Sequence, residues 1–277
     1  MLFALGLTKE TPGEKMLTEV TTQNRVGVLI TTRADSKRLP HKYREPIGED
    51  TLLTRVFDRA LAAGFPTNVV HPGDNLYEFC SQWEITDIGC PPDDRDVTRQ
   101  LLEAATKAEL DIIVLVTGDC AFVSPKVIKD AVHAFVGCRP YEGSKCRTRH
   151  EADMIFFGPD TQGMFVRVLT REALKKADDA LREHREHGVT FLGNLHQTFN
   201  PLFVDMRWVG MKWINLSVDT EEDLALTREI YRRLPWDAEW PEVQECASEI
   251  LMSRQTQLTS SPKLDPTTQG EETSPSS

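Results

Sequence analysis

Two unbroken apolar runs, Val26–Thr32 and Asp111–Thr117 after its first residue, constrain this chain more than any other feature. Neither alternates polar with apolar, so neither suits a strand with one wet face. Short continuous runs rich in Val and Ile belong to strands buried on both faces of a parallel sheet. Such a sheet needs helices on both sides, and the sequence supplies them. Thr51 can cap a helix whose apolar positions Leu53, Val56, Phe57, Ala60 and Leu61 recur at helical spacing as far as Gly64. Strand Asn68–His71, a short helix Asn75–Trp83, strand Ile85–Ile88, a helix from about Asp94 to Ala108, and a helix from Ser124 or Pro125 to Val136 continue the alternation. The pattern predicts an α/β fold with right-handed crossovers, its ligands at the carboxyl ends of the strands.

Further along, Asp153–Phe157 and Met164–Leu169 read as strands, Arg171–His187 and Val189–Gln197 as helices, Trp213–Val218 as a late strand, and Thr220–Arg233 as a helix. The last opens T-E-E-D, a capping box with Asp223 in the place of the usual Glu or Gln. With 277 residues, 40% of them hydrophobic, one domain with a tail is expected: a flexible extension over 1–24, the domain over 25–234, a terminal helix within 235–254 and a disordered Ser/Thr/Pro-rich tail over 255–277. Cys138–Glu151 reads as a loop.

Charge excludes some functions. The formal net charge is −11, from 43 Asp and Glu against 32 Lys and Arg, which argues against general nucleic-acid binding because that rests on neutralising phosphates. The opening MLFALGL is too short for a signal peptide or a membrane span. The six cysteines form no CxxC pair, so neither zinc nor redox chemistry is readable from their spacing, and a reduced, cytoplasmic setting is expected.

Against this acidic background the loop after the first strand is basic. Arg33, Lys37, Arg38, Lys42 and Arg44 face one acid, Asp35. With no glycine, the loop is neither a P-loop nor a dinucleotide turn. It suits either solvent or an anion such as a triphosphate, held by Arg33, Arg38 and Lys42 with a hydroxyl from Ser36. Asp119, in VLVTGDC, and Asp219, in NLSVDTEED, each follow an apolar strand-like run. Each could cap a local turn or helix; together they could hold Mg²⁺ against phosphate oxygens. His184 and His187 in REHREH read as a solvated helix face, and Asp93–Asp96 as a helix cap.

These segments carry a family resemblance. R-A-D-S-K-R-L-P-H-K resembles the R-x-x-S-x-R-L-P-x-K signature of cytidylyltransferases that activate acidic sugars, namely the CMP-sialic acid and CMP-Kdo synthetases and the spore-coat polysaccharide cytidylyltransferase-like proteins. G-D-C and V-D-T-E-E-D-L resemble that family's two metal-carboxylate motifs. D-D-R-D-V and R-E-H-G-V-T resemble segments of the spore-coat branch. The likeness spans about 26–234 and implies a Rossmann-like nucleotidyltransferase fold of the nucleotide-diphospho-sugar transferase type, with a mostly parallel central sheet. It implies CTP on Arg33, Ser36, Arg38 and Lys42, Mg²⁺ on Asp119 and Asp219, and a homodimer whose contact would be sought around 160–200.

The chain also departs from its relatives. Phe165 and Arg167 stand where the spore-coat branch carries two acids, so a different acceptor sugar is implied, and an arginine there suits a carboxylate or phosphate. Ala121 and Glu221 replace prolines without removing a proposed ligand. The expected reaction is transfer of CMP from CTP to an acidic sugar with release of pyrophosphate. No general base is evident. The rival readings are a nucleotide-sugar glycosyltransferase, for which Asp94-Arg95-Asp96 would be the D-x-D motif, and an inactive module that only binds nucleotide.

Overall fold

The computed structural model describes residues 25–33, 36–73, 76–90, 96–136, 152–159, 161–180, 201–205 and 214–260. Its centre is a seven-stranded sheet in the order β5-β4-β1-β6-β8-β7-β9. The strands are β1 (Val26–Thr31), β4 (Thr67–Pro72), β5 (Ile85–Cys90), β6 (Ile112–Thr117), β7 (Met154–Gly158), β8 (Val166–Thr170) and β9 (Pro201–Asp205); a small hairpin of β2 (Pro46–Ile47) and β3 (Asp50–Thr51) stands apart. β8 runs antiparallel to both β6 and β7, and all other pairs in the large sheet are parallel.

The two founding runs sit side by side, with Val26 opposite Ile112 and Thr31 opposite Thr117. Successive side chains point to opposite faces. Val28, Ile30, Val114 and Val116 enter one core with α1 (Leu52–Leu61), α4 (Pro125–Val136), α6 (Glu221–Arg233) and α7 (Trp240–Ser260). Leu29, Ile113 and Leu115 enter a second core with α3 (Val97–Lys107) and α5 (Arg171–Ala180). Both faces being dry explains the missing alternation in the sequence. Val28, Leu29 and Ile30 are fully buried, and each such side chain contributes roughly 1.5–3 kcal/mol. From β1 the chain moves outward to β4 and β5, then returns to β6 on the other side of β1. That reversal leaves a crevice at the carboxyl ends of β1 and β6, where open α/β sheets bind ligands.

Local chemistry sets the helix starts. Thr51 caps α1 with a capping box completed by Thr54, Asp96 rather than Asp94 caps α3, and the Thr220–Asp223 box starts α6. The predicted strand Trp213–Val218 is corrected: residues 214–220 belong to no strand, and their backbone bonds to loops instead, Leu216 N–H to the Gln162 carbonyl (2.9 Å) and Val218 N–H to that of Asp119 (3.0 Å). β9 went unpredicted. The terminal helix continues through 255–260, residues expected to belong to the disordered tail. The extension 1–24, the loop 138–151, His184, His187, the helix 189–197 and the remainder of the tail lie outside the described residues, as does much of the segment where a dimer contact was sought. Among the described residues no helix is long and apolar enough to cross a membrane.

One buried charge fastens the carboxyl-terminal part to the sheet layer. Arg59 in α1, only 1% exposed, donates to the carbonyls of Val123 (2.7 Å), Trp236 (2.5 Å) and Ala238 (2.9 Å). Burial pulls its pKa below the ordinary arginine value, yet the three carbonyls solvate the guanidinium. Arg59→Met, similar in length but unable to donate, is expected to lower stability by about 2–4 kcal/mol, since hydrogen bonds to a charged group contribute about 1.5–3 and orphaned buried carbonyls add a penalty. Urea unfolding followed by circular dichroism checks this; an unchanged midpoint would refute it.

Candidate active site

The basic loop is not freely solvated. It returns to the protein through Leu39 and Tyr43, both buried, and Lys42 begins a single 3-10 turn, Lys42–Arg44. Two further bonds hold its far end: Arg228 of α6 donates to the Pro46 carbonyl (2.8 Å) and pairs with Glu45 (3.0 Å). Arg44 lies over the Tyr43 and Phe79 rings, at 5.3 and 5.8 Å from their centroids, a cation–π arrangement that sets the turn's outer face.

So anchored, Lys42 points inward. Its Nζ donates to Asp119 Oδ2 (2.8 Å), Asp219 Oδ1 (2.9 Å) and the Val218 carbonyl (2.8 Å). Arg38 reaches the other oxygen of Asp219 at 2.9 Å. Asp119 is steadied from its own strand, since Thr117 Oγ1 donates to Asp119 Oδ1 at 2.6 Å. Asp219 is steadied through its backbone, its N–H donating to Asp223 Oδ2 (3.1 Å), the residue that also closes the α6 capping box. Sequence motifs singled out Lys42, Arg38, Asp119 and Asp219, and the structure brings all four together. Arg33 lies exposed just beyond β1 and Ser36 is half-buried. Thr117, the Val218 carbonyl and the seating function of Asp223 were missed; the T-E-E-D box was the available signal for the last.

Two glycines shape the crevice. Gly118 admits the end of β1: a Cβ there would meet Thr32 Cβ at 3.0 Å and the Thr31 carbonyl at 3.2 Å. Gly163 has φ +90, and a Cβ on it would strike Ser217 N at 2.5 Å and Leu216 C at 2.6 Å. It is the seat on which the segment bearing Asp219 rests.

Electrostatics follow from this packing. Burial opposes the Lys42 ammonium, but the Asp119 and Asp219 carboxylates outweigh it and hold its pKa above the ordinary value. Burial likewise opposes the Asp219 carboxylate, and here Lys42 and Arg38 win, holding it below the usual range. Beside them, burial first and then the Asp119 charge push the Cys120 thiol up to about 12, so it is no nucleophile at neutral pH.

The acceptors around Lys42 Nζ are all oxygens, two carboxylate and one carbonyl, already arranged about a cation. That set suits a hard divalent ion of the Mg²⁺ kind, which takes one or two carboxylates and leaves its other positions to water and substrate phosphates. Among the described residues no group of three or more His, Cys, Asp or Glu forms a complete protein cage. Asp96 caps α3 through its bond from Arg99 N–H, away from any strand end, while Asp94 and Arg95 lie outside the described residues.

The sheet order, the crevice at the carboxyl ends of β1 and β6, and the paired carboxylates met by a basic loop define an α/β nucleotidyltransferase. Residues 27–191 match the family model described as cytidylyltransferase, and the chain belongs to that family, whose enzymes transfer a cytidylyl group from CTP. Solved structures agree on the fold. A cytidylyltransferase from Leptospira borgpetersenii is 20% identical, covering 87% of this chain and 100% of its own with a TM-score of 0.66. CMP:2-keto-3-deoxy-manno-octonic acid synthetase complexed with CTP is 16% identical (76% and 99% covered, TM-score 0.58). Rv0371c from Mycobacterium tuberculosis, in complex with manganese, is 18% identical (74% and 98% covered, TM-score 0.51). No curated protein matches the sequence.

Two tests follow from the geometry. Gly163→Ala is expected to lower stability by at least about 2 kcal/mol, combining left-handed strain with backbone overlap. Gly64→Ala is the control, because φ there is +78 with nothing within 4 Å of the added Cβ; equal losses in urea unfolding would show that the seat is unimportant. Lys42→Met should cost about 1–3 kcal/mol near neutral pH by leaving Asp119 without its cation and Asp219 with Arg38 alone. The Asp219 contribution is whole above its ordinary 3.8 and fades as pH falls below it. That of Lys42 is whole below its ordinary 10.5 and fades as pH rises through its elevated value. The difference in melting temperature between wild type and Lys42→Met should therefore narrow at both extremes, and a difference constant from pH 3 to 11 would contradict the assignment.

Proposed function

We propose that this cytidylyltransferase moves CMP from CTP to an acidic sugar and releases pyrophosphate, with Mg²⁺ as its metal. The observation that carries the reading is the convergence of Lys42 and Arg38, from the loop after β1, on Asp119 and Asp219, from segments far apart in the chain. A phosphate-binding loop and a carboxylate pair serve phosphoryl chemistry only when they share a crevice. The CTP-bound relative, with the same fold, supports the choice of nucleotide, and the manganese complex supports a divalent ion.

In this scheme Asp119 and Asp219 hold the metal, which when bound supplies charge neutralisation at the reacting phosphate. Arg38 and Lys42 exchange their carboxylate partners for phosphate oxygens. With Arg33 and Ser36 they grip the β- and γ-phosphates and stabilise the negative charge that grows as pyrophosphate leaves. The Thr117 hydroxyl and the Asp223 carboxylate keep the two aspartates in place while their cationic partners change. A sugar oxygen attacks the α-phosphorus in line with the departing group. Free thiols at Cys80, Cys120 and Cys246 fit a cytoplasmic setting.

Pyrophosphate release with each of the four nucleoside triphosphates, against a panel of sugar acids and sugar phosphates, tests the reading. CTP with an acidic sugar should be preferred, and Asp119→Asn and Asp219→Asn should each lower the rate by about 100-fold or more. Full activity in either variant would sink the two-carboxylate scheme. Lys42→Met should bind Mn²⁺ more tightly than wild type without nucleotide, because no ammonium competes for the carboxylates, and should still lose turnover. Weaker Mn²⁺ binding by calorimetry would place the metal elsewhere.

A further inference from the structure

Arg167 is a cation in this crevice that forms no ion pair among the described residues. It stands in β8 opposite Leu115 of β6 and Phe156 of β7. Because β8 is antiparallel to β6, its first residues lie alongside the carboxyl end of β6, next to Thr117 and Asp119. The guanidinium carbon rests 5.1 Å from the Phe165 ring centroid and 5.6 Å from that of Phe156. Its Nε is buried without a hydrogen-bond partner, and among the described residues the side chain forms no ion pair. The contrast with Arg59, a fully buried arginine, is informative. Arg59 spends its donors on three carbonyls and is structural. Arg167 is held by aromatic rings, which orient a guanidinium without occupying its N–H groups.

A half-buried guanidinium whose buried Nε has no partner is costly for the free protein. The cost is recovered when a planar anion accepts its donors. Asp119 does not do so: its oxygens already serve Thr117 and Lys42, and it acts on Arg167 only as a nearby charge. Arg38 and Lys42 approach that carboxylate pair from the basic-loop side, so Arg167 marks a separate subsite at the β8 edge of the crevice.

We infer that Arg167 binds the anionic group of the acceptor sugar, a carboxylate or a phosphate, and so selects charged acceptors over neutral ones. The inference rests on the nucleotidyl-transfer reading above and names the residue that fixes its second substrate. Phe156 and Phe165 would flank the apolar face of that substrate while the guanidinium takes its anion in a two-pronged hydrogen bond.

The probe is the Nε–H resonance of Arg167 in nitrogen-15-labelled full-length protein, assigned by its absence from Arg167→Lys. Wild type in CTP and Ca²⁺ is titrated with three groups of compounds: sugar carboxylates, sugar phosphates and neutral sugars. The resonance is expected to shift with members of one of the first two groups, which identifies the anion, and not with the neutral sugars. In pyrophosphate-release kinetics with the responding compound, Arg167→Ala should raise the acceptor KM by about 10–100-fold, the worth of one charge-assisted pair, with the KM for CTP within twofold of wild type. Arg167→Lys should recover part of that loss. Calorimetry of CTP binding separates the possible failures. Loss of CTP binding by wild type overturns the nucleotide reading itself, whereas intact CTP binding with no shift from any compound, or an equal shift from neutral sugars, overturns the role of Arg167 alone.

Discussion

The structure turns on the ammonium of Lys42. It joins three segments, bonding across 77 residues to Asp119 and across 177 to Asp219. Without a cation between them, two carboxylates this close in a half-buried crevice would repel and one would take up a proton. Holding Lys42 there requires much else. Leu39 and Tyr43 pin the loop, Arg228 ties its far end to α6, Gly163 gives the Asp219 segment its seat, and Asp223 bonds the Asp219 backbone. Each is ordinary structural chemistry, and together they fix one charged contact. The same contact surrounds a cation with oxygen, so on the proposed reading stability and function draw on the same atoms.

Legibility in the sequence followed how far each feature depends on distant partners. β1 and β6 were plain because burial on both faces leaves an unbroken apolar run. Caps were plain where a Thr and its partner lie three residues apart, as at Thr51 and Thr220. Trp213–Val218 misled because its apolar residues are buried, Ile214, Leu216 and Val218 all meeting the core, while its backbone finds partners in loops rather than in a strand. Periodicity reports burial, not the identity of the hydrogen-bond partner. β9 escaped because it is five residues long and begins at Pro201, and proline argues against a strand interior until the strand's edge position is known.

The site was legible as a set of charges and not as a set of pairs. Motifs located Lys42, Arg38, Asp119 and Asp219, and the loop's surplus of positive charge pointed to an anion. The anion that Lys42 meets in this structure is the protein's own. No local pattern could distinguish a lysine waiting for phosphate from one bridging carboxylates, because the difference lies in the path of residues 214–219 through space. The Val218 carbonyl was invisible for a simpler reason: every residue has one.

The antiparallel strand gives the crevice its two halves. On the parallel side, β5-β4-β1-β6, loops leave from carboxyl ends, and the one after β1 delivers Arg38 and Lys42 to two acids that match their charge. β8 reverses direction and thereby brings an amino-terminal strand end to the same edge, so a residue near the start of a strand, Arg167, comes level with Leu115, close to the carboxyl end of β6. The first half is electrically balanced in the free protein, and on the proposed reading its ion pairs are exchanged as phosphate and metal enter. In the second half the Arg167 side chain forms no ion pair among the described residues, and its buried Nε has no hydrogen-bond partner. On the proposed reading, in which both substrates are negatively charged, such an asymmetry serves transfer, since positive charge already cancelled on the acceptor side would leave repulsion between the substrates to oppose their meeting.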